Sequence, residues 1–137
     1  MAEVGLVCIM AHLGCFVPCE RADVPLVHRI CTRLSTDDAL ELSASTFSLE
    51  MEECSYLLQA TAGAPAGKTT LVLIDELGRG TSTKDGVALA WAVAESLAGH
   101  VSCRALFSTH FAQLRTMAVQ APDRVCAWRF VVAVCYY

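Results

Sequence analysis

Charge is scarce in this sequence, and basic charge scarcer still: Asp, Glu, Lys and Arg make up 18% of the residues, the net charge is −4, and Lys and Arg nowhere cluster. Gripping a nucleic-acid backbone takes a concentrated basic surface that neutralises phosphates. Any contact with nucleic acid is therefore expected from other parts of a protein. Also lacking is a Cys-x-x-Cys pair, although cysteines stand at positions 8, 15, 19, 31, 54, 103, 126 and 135. Most lie inside apolar runs and read as buried thiols of a reducing compartment rather than as disulfides or a zinc site. Cys15 and Cys19 with His12 or His28 would be the remaining metal set, but the strand-like "FVP" between the two cysteines argues against it. The apolar opening "VGLVCIMAHLGCFV" has Glu3 where a signal peptide carries basic residues, and no small-residue cleavage pattern follows. His12 and Gly14 interrupt it too early for a membrane span.

What is present points to a buried sheet. A length of 137 residues suits one domain, and 55% hydrophobic content suggests strands with few exposed faces, or a piece of something larger. Periodicity predicts a helix over Val4–Leu13 closed by Gly14, a short strand "CFVPCE", a strand over Val27–Leu34 and a polar loop "STDDALELSA". A helix is expected from Ser45, with Ser45 as N-cap, Glu50, Glu52 and Glu53 in its early turns, and an apolar stripe of Phe47, Met51, Cys54, Leu57 and Leu58. Then follow the strand "TLVLI", the loop "DELGRGTS", and a helix opened by a Ser82/Asp85 capping box and stopped by Gly99. Val87, Ala90, Trp91, Ala94 and Leu97 form its inward face. A strand "RALFS" at 104–108, a short helix "HFAQLRTMA" and a last strand "VCAWRFVVAV" complete the chain. Strands apolar at every position, alternating with helices, indicate an α/β fold with a mainly parallel sheet flanked by helices on both faces.

Two stretches invite a nucleotide. "GAPAGKTT", residues 63–70, imitates a phosphate loop, but its first glycine is displaced by one from the required spacing, and it runs into a strand instead of opening a helix. It reads as a solvated turn. In parallel sheets ligands bind beyond the carboxyl ends of the strands. There the run Leu71–Ile74 lifts Asp75 and Glu76 out of the core as adjacent carboxylates pointing in different directions. That pair suits the second half of an ATPase site, one acid for Mg²⁺ and one for the attacking water. The bland alternative is a strand ending in solvated acids.

"TLVLIDELGRGTSTKDG", Thr70 to Gly86, resembles the signature stretch of the MutS family of ABC-type ATPases. "GCFVPCE", "CTRLSTDD", "SASTFSLEMEE", "GVALAWAVAESLA" and "LFSTHF" resemble further family blocks, in family order, from about residue 4 to residue 130. Within the family, "LSTDDALELSASTF" looks most like the eukaryotic meiotic branch that promotes crossovers, which implies a nuclear protein. The resemblance implies a P-loop NTPase fold of the ABC-ATPase kind, incomplete at its N-terminus. Residues 1–134 would be a partial ATPase domain, carrying signature helix, Walker B, D-loop and switch histidine without Walker A. The final "VVAVCYY" departs from the family pattern, with 135–137 as an atypical tail.

Carried over residue by residue, the resemblance implies that Asp75 coordinates Mg²⁺, that Glu76 is the general base and that His110 senses the γ-phosphate of ATP. Ser45 and Thr46 would open the signature helix, whose free N–H groups meet ATP bound by a partner subunit. Gly78, Arg79, Gly80, Thr81 and Ser82 would form the loop crossing toward that partner. Without the resemblance His110 is a structural residue, Ser45 an ordinary N-cap and 78–80 a tight turn. The implied protein is an ATP-hydrolysing member of a MutS-family homo- or heterodimer in DNA mismatch repair or meiotic recombination. Its nucleotide cycle would switch a DNA clamp, with DNA held by domains outside this chain and no membrane involved. The chain alone would be inactive for want of a phosphate loop. The alternative is a non-catalytic module that completes a partner's ATP site.

Overall fold

The computed structural model describes residues 1–34 and 44–128, and for residues 44–46 the backbone alone. Eight segments follow in order: α1 (Ala2–His12), β1 (Arg29–Arg33), α2 (Ala44–Ala62), β2 (Thr70–Asp75), α3 (Thr83–Gly99), β3 (Cys103–Ser108), a 3₁₀ turn (Ala112–Arg115) and α4 (Thr116–Gln120). The three strands form one parallel sheet in the order β1-β2-β3.

β2 is central because its side chains suit burial on both faces. Val72, Leu73 and Ile74 are wholly inaccessible, and Leu71 nearly so. Strand side chains alternate, and each parity meets its own layer. Val72 and Ile74 pack with Cys31 of β1, Cys54 and Leu57 of α2, and Val93 and Leu97 of α3. Leu71 and Leu73 face the other way, onto Cys8 of α1, with Val24, Val27 and Ile30 beside them. α1 lies close, since a Cβ on Gly5 would stand 3.0 Å from Leu73. Each such side chain contributes on the order of 2 kcal/mol by leaving water. A third cluster, Ala90, Phe111, Leu114 and Met117, anchors the 3₁₀ turn and α4 against α3.

The α/β fold with a parallel, helix-flanked sheet is as expected, and so is the cap of α3. Ser82 Oγ accepts the Asp85 N–H at 3.2 Å and donates to its carboxylate at 2.7 Å. Other expectations need correction. "CFVPCE" forms no strand: Pro18 lacks an N–H, the Cys19 N–H turns back to the Val17 carbonyl at 2.9 Å, and Phe16 is exposed. The connection to β1 is pinned instead by His12. Its Nδ1 lies 2.7 Å from the Cys8 carbonyl, and its Nε2 accepts the Val27 N–H at 3.1 Å. Gly99 belongs to α3, which His100 closes. The helix expected after His110 is divided into the 3₁₀ turn and α4. Residues 125–128 form no strand, while the rest of the expected last strand, the tail at 135–137 and most of the acidic loop lie outside the described residues.

The cysteines are mixed rather than mostly buried. Cys8, Cys31 and Cys54 are buried, Cys103 is partly so, and Cys15, Cys19 and Cys126 are exposed; all seven are free thiols. Desolvation pushes the Cys31 and Cys103 thiols up and the Cys54 thiol up to about 11. They are packing groups, not nucleophiles. Among the described residues no group of three or more His, Cys, Asp or Glu side chains could hold a metal, and no helix is long and apolar enough to cross a membrane.

Candidate functional site

The C-terminal edge of the sheet carries Asp75, Glu76 and the turn that follows them, with His110 two residues beyond β3. Asp75 is the last residue of β2, half-buried, and opposite Ser108 in the parallel register. The Ser108 hydroxyl donates to Asp75 Oδ1. A seryl hydroxyl from the neighbouring strand thus fixes the direction of this carboxylate. Ser108 was not singled out by sequence, since only strand register brings it to Asp75.

Glu76 follows with φ +47°, in the left-handed region, while its N–H still continues the ladder to the Ser108 carbonyl at 3.1 Å. A left-handed residue straight after a strand reverses the chain, and at a non-glycine position such a conformation marks a site held by its surroundings. Here the hold is visible. Leu77 is driven wholly into the core, and Gly78, at φ +84°, lies backbone to backbone against α3. A Cβ on Gly78 would stand 2.8 Å from the Gly86 Cα, and one on Gly86 would stand 2.5 Å from the Gly78 carbonyl. The reversal sends the two acids apart as expected, Asp75 to Ser108 and Glu76 to Arg79, whose Nη1 is 2.9 Å from Glu76 Oε2. Arg79 is 68% exposed. Such a pair is worth about 0.2–1 kcal/mol and is readily exchanged.

The turn is also gripped from beneath. Glu50 of α2 is buried; its Oε1 accepts the Gly78 N–H at 3.0 Å and lies 2.8 Å from Arg33 Nη2. Arg33 Nη1 donates to the Asp75 carbonyl at 2.9 Å, and its Nε, 3.6 Å from Glu53, has no hydrogen-bond partner. Sequence reasoning assigned Glu50 to the helix macrodipole and passed over Arg33. A signal existed: Glu50 stands one turn from Phe47 and from Cys54 on the apolar stripe, where a carboxylate is tolerated only if paired.

His110 lies two residues beyond β3 at the same edge, exposed, its ring centroid 4.1 Å from that of Phe111. Gly80 and Thr81 are half-buried in the turn, and Ser82 is occupied as the cap of α3. Gly78 uses its missing side chain within the chain, against Gly86. Ser45 and Thr46 fall in the first turn of α2, and their side chains lie outside the described residues, as does the expected capping by Ser45. Lys68 is not at this edge. Its N–H closes a turn onto the Pro65 carbonyl at 3.0 Å, with Gly67 at φ +74°; residues 65–68 are exposed ahead of β2, and Thr70 is already the first, buried residue of that strand.

Asp75 suits Mg²⁺ in its chemistry. Mg²⁺ takes one or two carboxylate oxygens and completes its shell with waters and substrate phosphates rather than a protein cage. A single oriented carboxylate at a solvent-reachable edge meets that need.

Comparison with known proteins shows which proteins the chain is similar to. Residues 1–133 match the family described as MutS domain V. The chain is 43% identical over 121 residues to the DNA mismatch repair protein MSH2 of Saccharomyces cerevisiae, covering 88% of this chain and 12% of that protein. It is 43% identical over 114 residues to the DNA mismatch repair protein MutS of Clostridioides difficile, covering 83% and 12%. It is 46% identical over 122 residues to the MutS protein of Anaeromyxobacter sp. strain K, covering 89% and 13%. The chain thus spans about an eighth of the length of these relatives.

Proposed function

This chain belongs to the MutS family, within its domain V, which is a P-loop ATPase domain, and from that footing we propose that it supplies the hydrolytic half of an ATP site in a DNA-processing dimer. The observation that carries the reading is the diverging acid pair. Asp75 is oriented by Ser108 at the end of the central strand, and Glu76 is turned off the strand line by its left-handed backbone.

In this reading Asp75 would hold Mg²⁺, which when bound neutralises charge developing on the phosphate oxygens. Glu76, freed from its exchangeable pair with Arg79, takes the proton of the water that attacks the γ-phosphorus. His110 contacts the γ-phosphate from the neighbouring strand end. Ser45 and Thr46 at the start of α2, with Gly80 and Thr81 of the turn, belong to the face toward a partner subunit's nucleotide. Exposed Arg79 stands on that same face. DNA is contacted by other domains, in mismatch repair or, by likeness of the loop before α2, in the nuclear meiotic branch. The nucleotide cycle would control a dimeric DNA clamp.

The full-length protein assembled with its partner should bind radiolabelled ATP more tightly with Mg²⁺ than with EDTA, and Asp75→Asn should abolish most of that difference. Equal affinity in both conditions for the unsubstituted protein would overturn the reading.

A further inference from the structure

The geometry points to the Arg33–Glu50 pair as a positioning device for the hydrolytic turn, an inference that rests on Glu76 being the general base. Glu76 is one of only two residues between the carbonyl of Asp75 and the N–H of Gly78. Arg33 holds the first of these groups at 2.9 Å, and Glu50 holds the second at 3.0 Å. The two holders are themselves joined at 2.8 Å, with side chains 14% and 5% exposed. The backbone carrying the base is thereby tied on both flanks to the end of β1 and to α2.

Stability is a poor account of this arrangement. A buried ion pair recovers its desolvation cost only with excellent geometry, and an apolar pair of similar volume often serves folding as well or better. This one leaves Arg33 Nε without a hydrogen bond. What an apolar pair lacks is the ability to hold two specific peptide groups a fixed distance apart. The Gly78 N–H is buried and would lose its acceptor, while the Asp75 carbonyl would lose its donor. A second consequence concerns α2. Ser45 precedes Glu50 by five residues, about 7.5 Å along the helix axis. Any displacement of the start of α2 is therefore passed to the acceptor of the Gly78 N–H and so to the base.

The test uses the full-length protein with its partner, measuring single-turnover hydrolysis at saturating Mg·ATP and ATP affinity in parallel. Displacement of a catalytic group by about 1 Å costs up to roughly a hundredfold. Glu50→Ala should therefore slow hydrolysis by about ten- to a hundredfold, with affinity changed less than about threefold. Glu50→Gln, which keeps an oxygen for the Gly78 N–H, should recover part of the loss. In a Glu76→Gln background neither substitution should slow hydrolysis further, because the group they position is gone. Wild-type rates in both Glu50 variants, or the same loss in both backgrounds, would overturn the proposal while leaving Glu76 as the base. A Glu76→Gln protein that hydrolyses at the normal rate would overturn both. Should Glu50→Ala fail to fold, the near-isosteric Glu50→Gln decides alone.

Discussion

Lys68 precedes β2 and Asp75 is its last residue, so the length of the strand separates the lysine from the acid pair. Six strand residues from Thr70 to Asp75 cover roughly 17 Å, well beyond the reach of a lysine side chain. Replacing Lys68 with alanine in the full-length protein should change ATP turnover less than about twofold, as for most exposed turn residues. A loss of a hundredfold in steady-state hydrolysis would place Lys68 on the nucleotide after all. The acids were legible in the sequence because the strand and its termination are local: four apolar residues, then two carboxylates. Ser108, Glu50 and Arg33 were not, since their hydrogen bonds to this stretch span 33, 28 and 42 residues and depend on register and helix packing. Glu50 alone left a trace, as a carboxylate on an otherwise apolar helical stripe.

At the scale of elements, periodicity located three helices and three strands and failed where pairing decides. "CFVPCE" has strand-like composition, yet Pro18 and the local Cys19–Val17 bond leave it without a ladder. β2 was the easiest element to read, because burial on both faces demands an apolar residue at every position. Gly86, in the first turn of α3, behaves differently from Gly99 at its end. Gly86→Ala would drive a Cβ to 2.5 Å from the Gly78 carbonyl and 2.9 Å from the Phe111 ring, whereas Gly99→Ala meets nothing within 4 Å. Overpacking of this kind costs typically about 1–3 kcal/mol. Gly86→Ala should lower the melting temperature by several degrees and slow hydrolysis by moving the acid turn; Gly99→Ala should do neither. Thermal melts and turnover measured on the two variants side by side check this. An unchanged Gly86→Ala protein would show that α3 and the turn do not depend on their close approach.

For the whole molecule, the sequence carries no cluster of Lys and Arg, and the chain spans about an eighth of the length of the relatives it matches. The resemblance visible in "TLVLIDELGRGTSTKDG" identified the family, but which surfaces serve a partner subunit is not written in one chain, because an interface leaves its pattern on two. The central claim is that Glu76 is the base of an ATP-hydrolysing site. Single-turnover hydrolysis of Mg·ATP by a Glu76→Gln variant of the full-length protein, assembled with its partner, tests it most directly. The amide keeps the shape of the carboxylate but cannot take a proton. The rate should fall by about 10²- to 10⁴-fold, the usual contribution of a positioned base, with ATP binding unchanged; hydrolysis at the wild-type rate would contradict the account.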